Sequence, residues 1–286
     1  MYKIFIATLL FLSFFSLNMN GQSYYTSTEY GFSVGISQYF GDLNDSYGLK
    51  TLNPVYGITL KKHLNQFISM KIIGNMTHVG YNDKYNSNPY EKMRNLSFES
   101  NIVEGVLQAE FNFFRFATGD PYYRFTPYLT GGIGAFYYKP YTFYNGSQYD
   151  LQPLGTEGQN TGYGRKYDKY ALCFPIGIGV KFWLLGGLNI SLEIADRLTS
   201  TDYLDDVSNT YIGITNFPVN SVASKIQDRS LEINGNNTAL GRPNKQRGNS
   251  STNDQYMVGI LTLSWHFKTY KCPANLNDDM IRVRRH

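Results

Sequence analysis

The sequence predicts an all-β fold, an eight-stranded antiparallel β-barrel, and three observations lead to this prediction. Aromatic residues make up 16% of the 286-residue chain, with 25 Tyr and 19 Phe, whereas charged residues make up only 17%. Segments in which large apolar residues alternate with small or polar ones recur along the chain, and this is the period of a β-strand. The connections between these segments alternate between short and long, which is typical of an outer-membrane barrel.

The strand assignments follow from the alternation, taken in chain order. In the first segment Tyr30, Phe32, Val34 and Ile36 share one face, and Gly or Ser residues occupy the other. Bacterial outer-membrane barrels have an even number of strands, and eight segments fit the pattern. The predicted strands cover residues 30–37, 56–61, 70–72, 103–113, 129–137, 176–182, 188–194 and 259–267.

The connections assign the two ends of the barrel. Short periplasmic turns are expected at residues 64–67, 115–125 and 184–187. Long extracellular loops are expected at residues 42–54, 80–95, 140–169 and 205–254.

The apolar stripes are predicted to face lipid. In hydrocarbon every backbone N–H and C=O needs a partner, so the strands must close into a ring. Aromatic residues near the strand ends would form the interfacial girdles: Phe113, Phe114, Tyr137, Tyr138, Trp183, Trp265 and Phe267. Alternation alone does not say which face is inside, and a secreted β-sandwich is the competing interpretation.

The chain is predicted to consist of three segments. Residues 1–21 read as a cleaved secretory signal, because Lys3 precedes a nearly unbroken apolar run from Ile4 to Leu17 and a small residue, Gly21, follows. An uncleaved anchor helix is the alternative. Residues 22–267 form the barrel, and residues 268–286 form a periplasmic tail. The predicted location is the bacterial outer membrane.

Charged residues on the face opposite the aliphatic stripes are predicted to form an ion-pair network in the lumen. Buried charges are very costly unless they are paired. The six residues are Lys61, Lys71, Glu104, Glu110, Lys181 and Glu193. A conducting pore lined by the same charges is the alternative.

The net charge, the cysteines and the other polar residues do not indicate an enzyme. The net charge of +4 is too small to indicate a nucleic-acid binder. Two cysteines, Cys173 and Cys272, exclude a disulfide scaffold and a Cys-cluster metal site, and whether they pair stays open. We therefore predict no catalytic residue, no metal ligand and no cofactor.

Two sets of side chains could carry chemistry, and a structural interpretation is favoured for both. Asp202, Asp205 and Asp206 together offer carboxylates to a cation, but a solvated loop start, or hydrogen bonding that stiffens the strand exit, is the favoured interpretation. The four histidines, which are dispersed in the sequence, are interpreted as girdle or surface residues: His63, His78, His266 and His286.

Two strings of the sequence are specific enough to indicate a family: Leu-Gln-Pro-Leu-Gly-Thr-Glu-Gly-Gln at residues 151–159 and Thr-Asp-Tyr-Leu-Asp-Asp-Val-Ser at residues 201–208. They resemble the PorG family, a small outer-membrane barrel of the type IX secretion system of the Bacteroidota. Shorter similarities lie at residues 40–44, 94–100, 108–113, 127–136 and 174–181. The family-like motif residues are Thr156, Glu157, Gly158, Gln159, Thr201, Asp202, Tyr203, Asp205 and Asp206.

The resemblance implies a non-enzymatic role in protein export, and in gliding where it occurs. PorG-like barrels are thought to contact a periplasmic ring made by PorK and PorN, so PorK/PorN-like proteins and outer-membrane lipid are the expected partners. A free-standing barrel acting as an adhesin or a lipid-modifying enzyme is the alternative. Aromatic residues and Arg dominate interface energies, and the candidate partner-binding residues are Phe116, Pro121, Tyr122, Tyr123, Arg124, Lys268, Lys271, Arg282, Arg284 and Arg285.

Overall fold

A computed structural model describes residues 28–45, 47–233 and 239–267, which form a closed antiparallel barrel of eight strands. A ninth, short strand, β6, extends one hairpin beyond the wall. The strands are β1 (Thr28–Phe40), β2 (Asn53–His63), β3 (Ile68–Asn82), β4 (Ser97–Asn112), β5 (Phe125–Tyr144), β6 (Ser147–Asp150), β7 (Tyr170–Leu185), β8 (Leu188–Thr199) and β9 (Gln255–Phe267).

Each wall strand pairs with its neighbours in chain order, and β1 pairs with β9 to close the ring. That closing register runs from Thr28 opposite Phe267 to Phe40 opposite Gln255. A closed sheet has no edge, so the wall satisfies its own backbone hydrogen bonds, as a hydrocarbon environment requires. The predicted eight-stranded fold is confirmed, and every predicted strand lies within a wall strand except 103–113, which runs one residue past the end of β4.

The side chains on the wall are arranged inside out relative to a soluble barrel. The side chains of Ile58 and Phe32 are 67% and 59% exposed on the outer surface, whereas the neighbouring Ser33 and Thr59 are buried in the lumen. The Ser33 hydroxyl lies 2.9 Å from that of Thr262. A closed ring with an aliphatic outside and a polar inside fits a lipid environment, so the competing β-sandwich is excluded. The protein is an outer-membrane β-barrel.

The predicted girdle aromatics near the short turns face outward, whereas Tyr138, also predicted to be a girdle residue, faces the lumen. Phe113, Phe114 and Trp265 are exposed at this end. Tyr138 is buried in the lumen, where its hydroxyl lies 3.1 Å from that of Thr201. The girdle prediction for Tyr138 is wrong, because successive residues of a strand face opposite sides and its neighbour Tyr137 takes the outer face.

The two ends of the barrel differ in length of connection, as predicted. The turn between β7 and β8 passes through Gly186, whose φ of +52° favours glycine. At the other end the connections carry three short helices, α1 (Pro89–Arg94), α2 (Leu151–Leu154) and α3 (Val222–Ile226). In the described part of the chain, no helix is both long and apolar enough to cross a membrane.

The longest connection, between β8 and β9, folds over the extracellular end of the barrel instead of extending away from it. Leu204, Val207 and Ile226 are buried and share a hydrophobic cluster with Tyr39 and Phe98 of the wall. We call residues 151–159 and the described part of 200–254, together with Asp42, which accepts a hydrogen bond from the Asn249 N–H, the extracellular cap. The predicted signal at 1–21, the tail at 268–286 and Cys272 lie outside the described residues.

The orientation of the wall gives a first prediction. Leu192→Arg, on the exposed lipid face of β8, should destabilise the barrel by about 2–4 kcal/mol, because an arginine near the middle of the bilayer cannot be solvated. Ser191→Thr, on the lumen face beside a small cavity, should be nearly silent. Heat-modifiable migration and unfolding by urea in lipid vesicles measure both. Equal effects of the two changes would contradict the facing of the strand.

Candidate functional site

The middle of the lumen is built around Glu110. Its carboxylate lies 3.1 Å from Lys61 Nζ and 3.9 Å from Lys71 Nζ, and it also pairs with Lys181. Lys71 pairs in addition with Glu193, which accepts a hydrogen bond of 3.0 Å from the Tyr128 hydroxyl. The ring of Tyr128 lies between 5.4 and 5.9 Å from all three lysine Nζ atoms. The structure thus brings five of the six predicted lumen charges into one cluster.

The sixth predicted charge, Glu104, forms a second layer nearer the extracellular end. It accepts hydrogen bonds from Asn75 at 2.5 Å, from Tyr256 at 2.5 Å and from Arg197 at 3.3 Å. Arg197 is 0% exposed and was missed by the sequence analysis, which ended the strand at residue 194. Extending the alternation from Glu193 by four residues would have found it.

The lumen is charge-balanced and nearly filled. Four cationic side chains, Lys61, Lys71, Lys181 and Arg197, face four carboxylates, Glu29, Glu104, Glu110 and Glu193. A cavity between Lys71, Tyr128 and Glu193 measures about 20 Å³, which holds about one water molecule. The arrangement is that of a plug, and it gives no support to the conducting pore.

A third layer, at the periplasmic end, corrects the interpretation of the histidines. His63 and His266 are dispersed in the sequence but meet at Glu29, and the side chain of His63 is buried. Because a carboxylate only accepts, His63 Nε2–H donates to Glu29 at 2.6 Å. The Ser69 hydroxyl lies 2.8 Å from His63 Nδ1. The girdle or surface prediction is therefore wrong for His63, since β1, β2 and β9 are neighbours and their inward positions converge. His78 lies partly exposed at the other end, 3.7 Å from Glu99.

Ser69, His63 and Glu29 are connected in the order of a serine–histidine–acid relay. A nucleophile must reach its substrate, however, and Ser69 is fully buried. The adjacent cavity of about 20 Å³ has no room for an acyl chain or a sugar. The arrangement can fix the histidine tautomer but cannot present a serine nucleophile.

The family-like motif residues meet in the extracellular cap. The Thr156 hydroxyl donates to Asp206 at 2.5 Å, and the backbone N–H of Ser208 donates to Glu157 at 2.9 Å. Arg247, which sequence reasoning missed, donates to Glu157 at 2.9 Å and is fully enclosed. Gly158 has a φ of +83°, and a Cβ there would lie 2.6 Å from Ile212. The two strings form one interlocked unit, which only a glycine at 158 allows.

The other motif residues support this unit. Gln159 accepts a hydrogen bond of 3.0 Å from the Glu157 N–H, and Tyr203 accepts one of 2.7 Å from Asn209. Thr201 and Asp202 lie half-buried at the exit of β8. The hydrogen-bonding interpretation of the aspartate cluster describes Asp205 and Asp206, and a solvated loop start does not, since both are buried.

The cap holds more carboxylates than its cations neutralise. The Tyr39 hydroxyl lies 2.6 Å from Asp205 and 2.9 Å from Asp254. One hydroxyl has a single hydrogen to donate, so the second short contact requires a protonated carboxyl. Burial, followed by repulsion between these carboxylates, raises the pKa of Asp205 well above its usual range.

Three further aspartates share this shift. Burial raises the pKa of Asp202 to about 7. Burial also raises the pKa of Asp42 to about 6 and that of Asp206 to about 6, the latter against the opposing effect of Arg247. The cap therefore binds protons that the unfolded loop would release.

The predicted partner-binding residues of the 115–125 turn divide into two groups. Phe116 is wrong as a contact residue: it is 3% exposed and packs inside the barrel end, 4.7 Å from Lys181 Nζ. Tyr122 is 91% exposed and Pro121 is exposed beside it. Tyr123 and Arg124 are half-buried, and the Arg124 guanidinium stacks 4.9 Å from the Phe182 ring. The tail candidates Lys268, Lys271, Arg282, Arg284 and Arg285 lie outside the described residues.

Residues 3–224 match the family described as "Domain of unknown function (DUF6089)". The chain belongs to the DUF6089 family. This DUF6089 protein has no match among curated proteins.

Solved structures resemble the DUF6089 barrel only distantly. Neisserial surface protein A (NspA) has a TM-score of 0.41 and 9% identity, covering 84% of this chain and 97% of that chain. Ail of Yersinia pestis, in complex with the heparin analogue sucrose octasulfate, has a TM-score of 0.40 and 9% identity, covering 85% and 100%. The N-terminal β-barrel domain of Pseudomonas aeruginosa OprF has a TM-score of 0.35 and 10% identity, covering 84% and 97%.

The lumen network gives a second prediction. Glu110→Gln should destabilise the barrel by about 3–5 kcal/mol, because it removes the shared partner of three buried lysines. Glu99→Gln, on the same strand but partly exposed, is the matched control and should change the free energy of unfolding by less than about 0.5 kcal/mol. Urea unfolding in lipid vesicles measures both. A Glu110→Gln barrel as stable as the Glu99→Gln control would show that the network is dispensable.

The cap gives a third prediction, with a defined sign. Aspartate in an unfolded chain titrates near pH 3.9, whereas Asp42, Asp202 and Asp206 titrate at about 6 to 7 in the folded cap. Their stabilising contribution is complete below about pH 4 and is lost as the pH rises through about 7. Amide hydrogen exchange of residues 204–211, corrected for intrinsic rates, should therefore show more protection at pH 5 than at pH 8.

The control for this prediction is internal to the protein. Amides of residues 129–133 in β5, within the wall, should show no such dependence. The double variant Asp42→Asn with Asp202→Asn should reduce the pH dependence of the cap. Greater protection of the cap at pH 8 would contradict the assignment of raised carboxyl pKa values.

Proposed function

We propose that this DUF6089 protein is a non-enzymatic outer-membrane component of the type IX protein secretion system, which associates with a periplasmic PorK/PorN-like ring. The observation that carries the proposal is that the two most specific PorG-like strings contact each other in the folded protein. Residues 151–159 and 201–208 are distant in sequence, yet they join through the Thr156–Asp206 and Glu157–Ser208 hydrogen bonds. A resemblance concentrated in one interlocked unit is a stronger argument than scattered matches.

The filled lumen supports a role at the surface of the barrel. A balanced plug with a cavity of about 20 Å³ leaves no route for a polypeptide. Export would then pass elsewhere, and this barrel would act by holding partners. A ring in the periplasm has to be reached from the short-turn end, where Tyr122 and Pro121 project. Exposed aromatic side chains are the type that anchors interfaces.

A free-standing adhesin is the second candidate, and one observation favours it. A cleft of about 700 Å³ opens in the extracellular end, lined among others by Tyr47, Tyr90, Glu91 and Arg94. A cleft of this size can receive a ligand group. The lipid-modifying alternative has less support, because Ser69, the hydroxyl that contacts His63, is buried.

Recovery of the ring proteins tests the proposal. The tagged protein should bring PorK/PorN-like proteins with it from detergent-solubilised membranes of a cell that encodes them. Tyr122→Ala, and separately truncation after Phe267, should reduce this recovery several-fold while heat-modifiable folding is kept, because Tyr122 projects from the periplasmic end and the tail is predicted to lie in the periplasm.

Tyr163→Ala, an exposed tyrosine of an extracellular loop, is the matched control and should retain the ring proteins. If wild type recovers no ring protein, the secretion role is wrong. If wild type and all variants recover equal amounts, the role stands and the contact surface is misplaced. Loss through Tyr163→Ala alone would place the contact on the opposite end.

A further inference from the structure

We propose that Glu29, His63 and His266 form a binding site for a divalent transition-metal ion of the Zn²⁺ class at the periplasmic end of the lumen. One ligand atom from each residue lies within 4.8 Å of the other two. The site goes beyond the secretion role and does not depend on it.

The ligand atoms are enclosed and one of them lacks a partner. The side chains of Glu29, His63 and His266 are 2%, 5% and 8% exposed. His266 Nδ1 lies 3.9 Å from Glu29, too far for a hydrogen bond, and has no hydrogen-bond partner among the described residues. Buried polar atoms are rarely left unsatisfied, because an atom buried without a partner loses its hydrogen bonds to water. A bound cation would use this nitrogen.

The donor set selects the class of metal. Two imidazole nitrogens and one carboxylate suit Zn²⁺ and its transition-metal neighbours, whereas Ca²⁺ and Mg²⁺ take oxygen ligands. Three protein ligands leave a fourth tetrahedral position for water. The cavity of about 20 Å³ borders Glu29 and has room for that water molecule. The nearby cations Lys61 and Lys181 both pair with Glu110, which offsets part of their repulsion of the ion.

Binding requires the His63 proton to move from Nε2 to Nδ1 and a short contact to open. Zinc–ligand bonds of about 2.0–2.2 Å place tetrahedral ligand atoms about 3.3–3.5 Å apart. The present His63–Glu29 separation is 2.6 Å, so the pair must spread by less than 1 Å. His63 must then carry its proton on Nδ1, leaving Nε2 free for the metal.

The surrounding groups allow that change of tautomer. The Ser69 hydroxyl, 2.8 Å from His63 Nδ1, can accept as readily as it donates. Glu29 is oriented by Asn189 at 2.7 Å and by Ser264 at 3.0 Å. Groups of this kind, which orient metal ligands from behind, tune metal affinity.

The position of the site defines its consequence. His63 lies at the end of β2, Glu29 on β1 and His266 on β9. Glu29 and His266 are direct partners across the pairing that joins the first and last strands. An ion bound by all three residues would link β1, β2 and β9 at the β1–β9 pairing that closes the barrel, here called the closing seam. Its removal would weaken that pairing.

The experiment uses the tag-free full-length mature protein, refolded in detergent and treated with a chelator. Added Zn²⁺ should bind at about one ion per chain and raise the unfolding temperature. Added Co²⁺ should give the visible absorption of a tetrahedral site. His63→Gln, His266→Gln and Glu29→Gln should each weaken Zn²⁺ binding more than about 100-fold, and Ser69→Ala by about 10–100-fold.

Two histidine variants serve as controls. His78→Gln removes a histidine that also lies beside a glutamate, at the other end of the barrel. His286→Gln tests the C-terminal histidine. Both should bind Zn²⁺ like wild type. Absence of stoichiometric binding by wild type would overturn the proposal, as would loss of binding through His286→Gln alone. If a site variant fails to fold, X-ray absorption of the wild-type zinc complex decides: two imidazole ligands are expected, and fewer than two would overturn the proposal.

Discussion

The structure depends on one constraint: every backbone N–H and C=O within hydrocarbon must find a partner inside the protein. The pairing of β1 with β9 meets it by closing the sheet. Closure then fixes the outward and inward faces of every strand, because side chains alternate. Ile58 is outside and Thr59 is inside for this reason alone.

Closure with only eight strands leaves a lumen too narrow for solvent, and the enclosed charges must therefore neutralise one another. Glu110 holds three lysines and Glu104 holds Arg197. The charges in the middle of the lumen are thus paired with one another. The features from which a function is argued lie toward the two ends of the barrel.

Those ends are built from different chemistry. The extracellular cap interlocks residues 151–159 with the described part of 200–254, and burial raises the pKa values of its aspartates, so its stability declines as the pH rises. The periplasmic end gathers Glu29, His63 and His266 at the closing seam and projects Tyr122 beyond it. The extracellular end is therefore enclosed by interlocked loops, whereas the periplasmic end presents an exposed aromatic side chain.

The sequence by itself determined the strand number and the two faces of each strand, one aliphatic and the other carrying six of the charges found in the lumen, because these follow from a two-residue period along the chain. Only the tertiary structure decided which residues from distant parts of the chain come into contact. His63 and His266 converge on Glu29 because β1 lies between β2 and β9. The pattern of residues within one strand does not show which strands are neighbours. Phe116 turned inward to fill the barrel end, and Arg247 reached Glu157 across ninety residues of sequence. Contacts between distant segments depend on closure of the ring, and closure is a property of the whole chain.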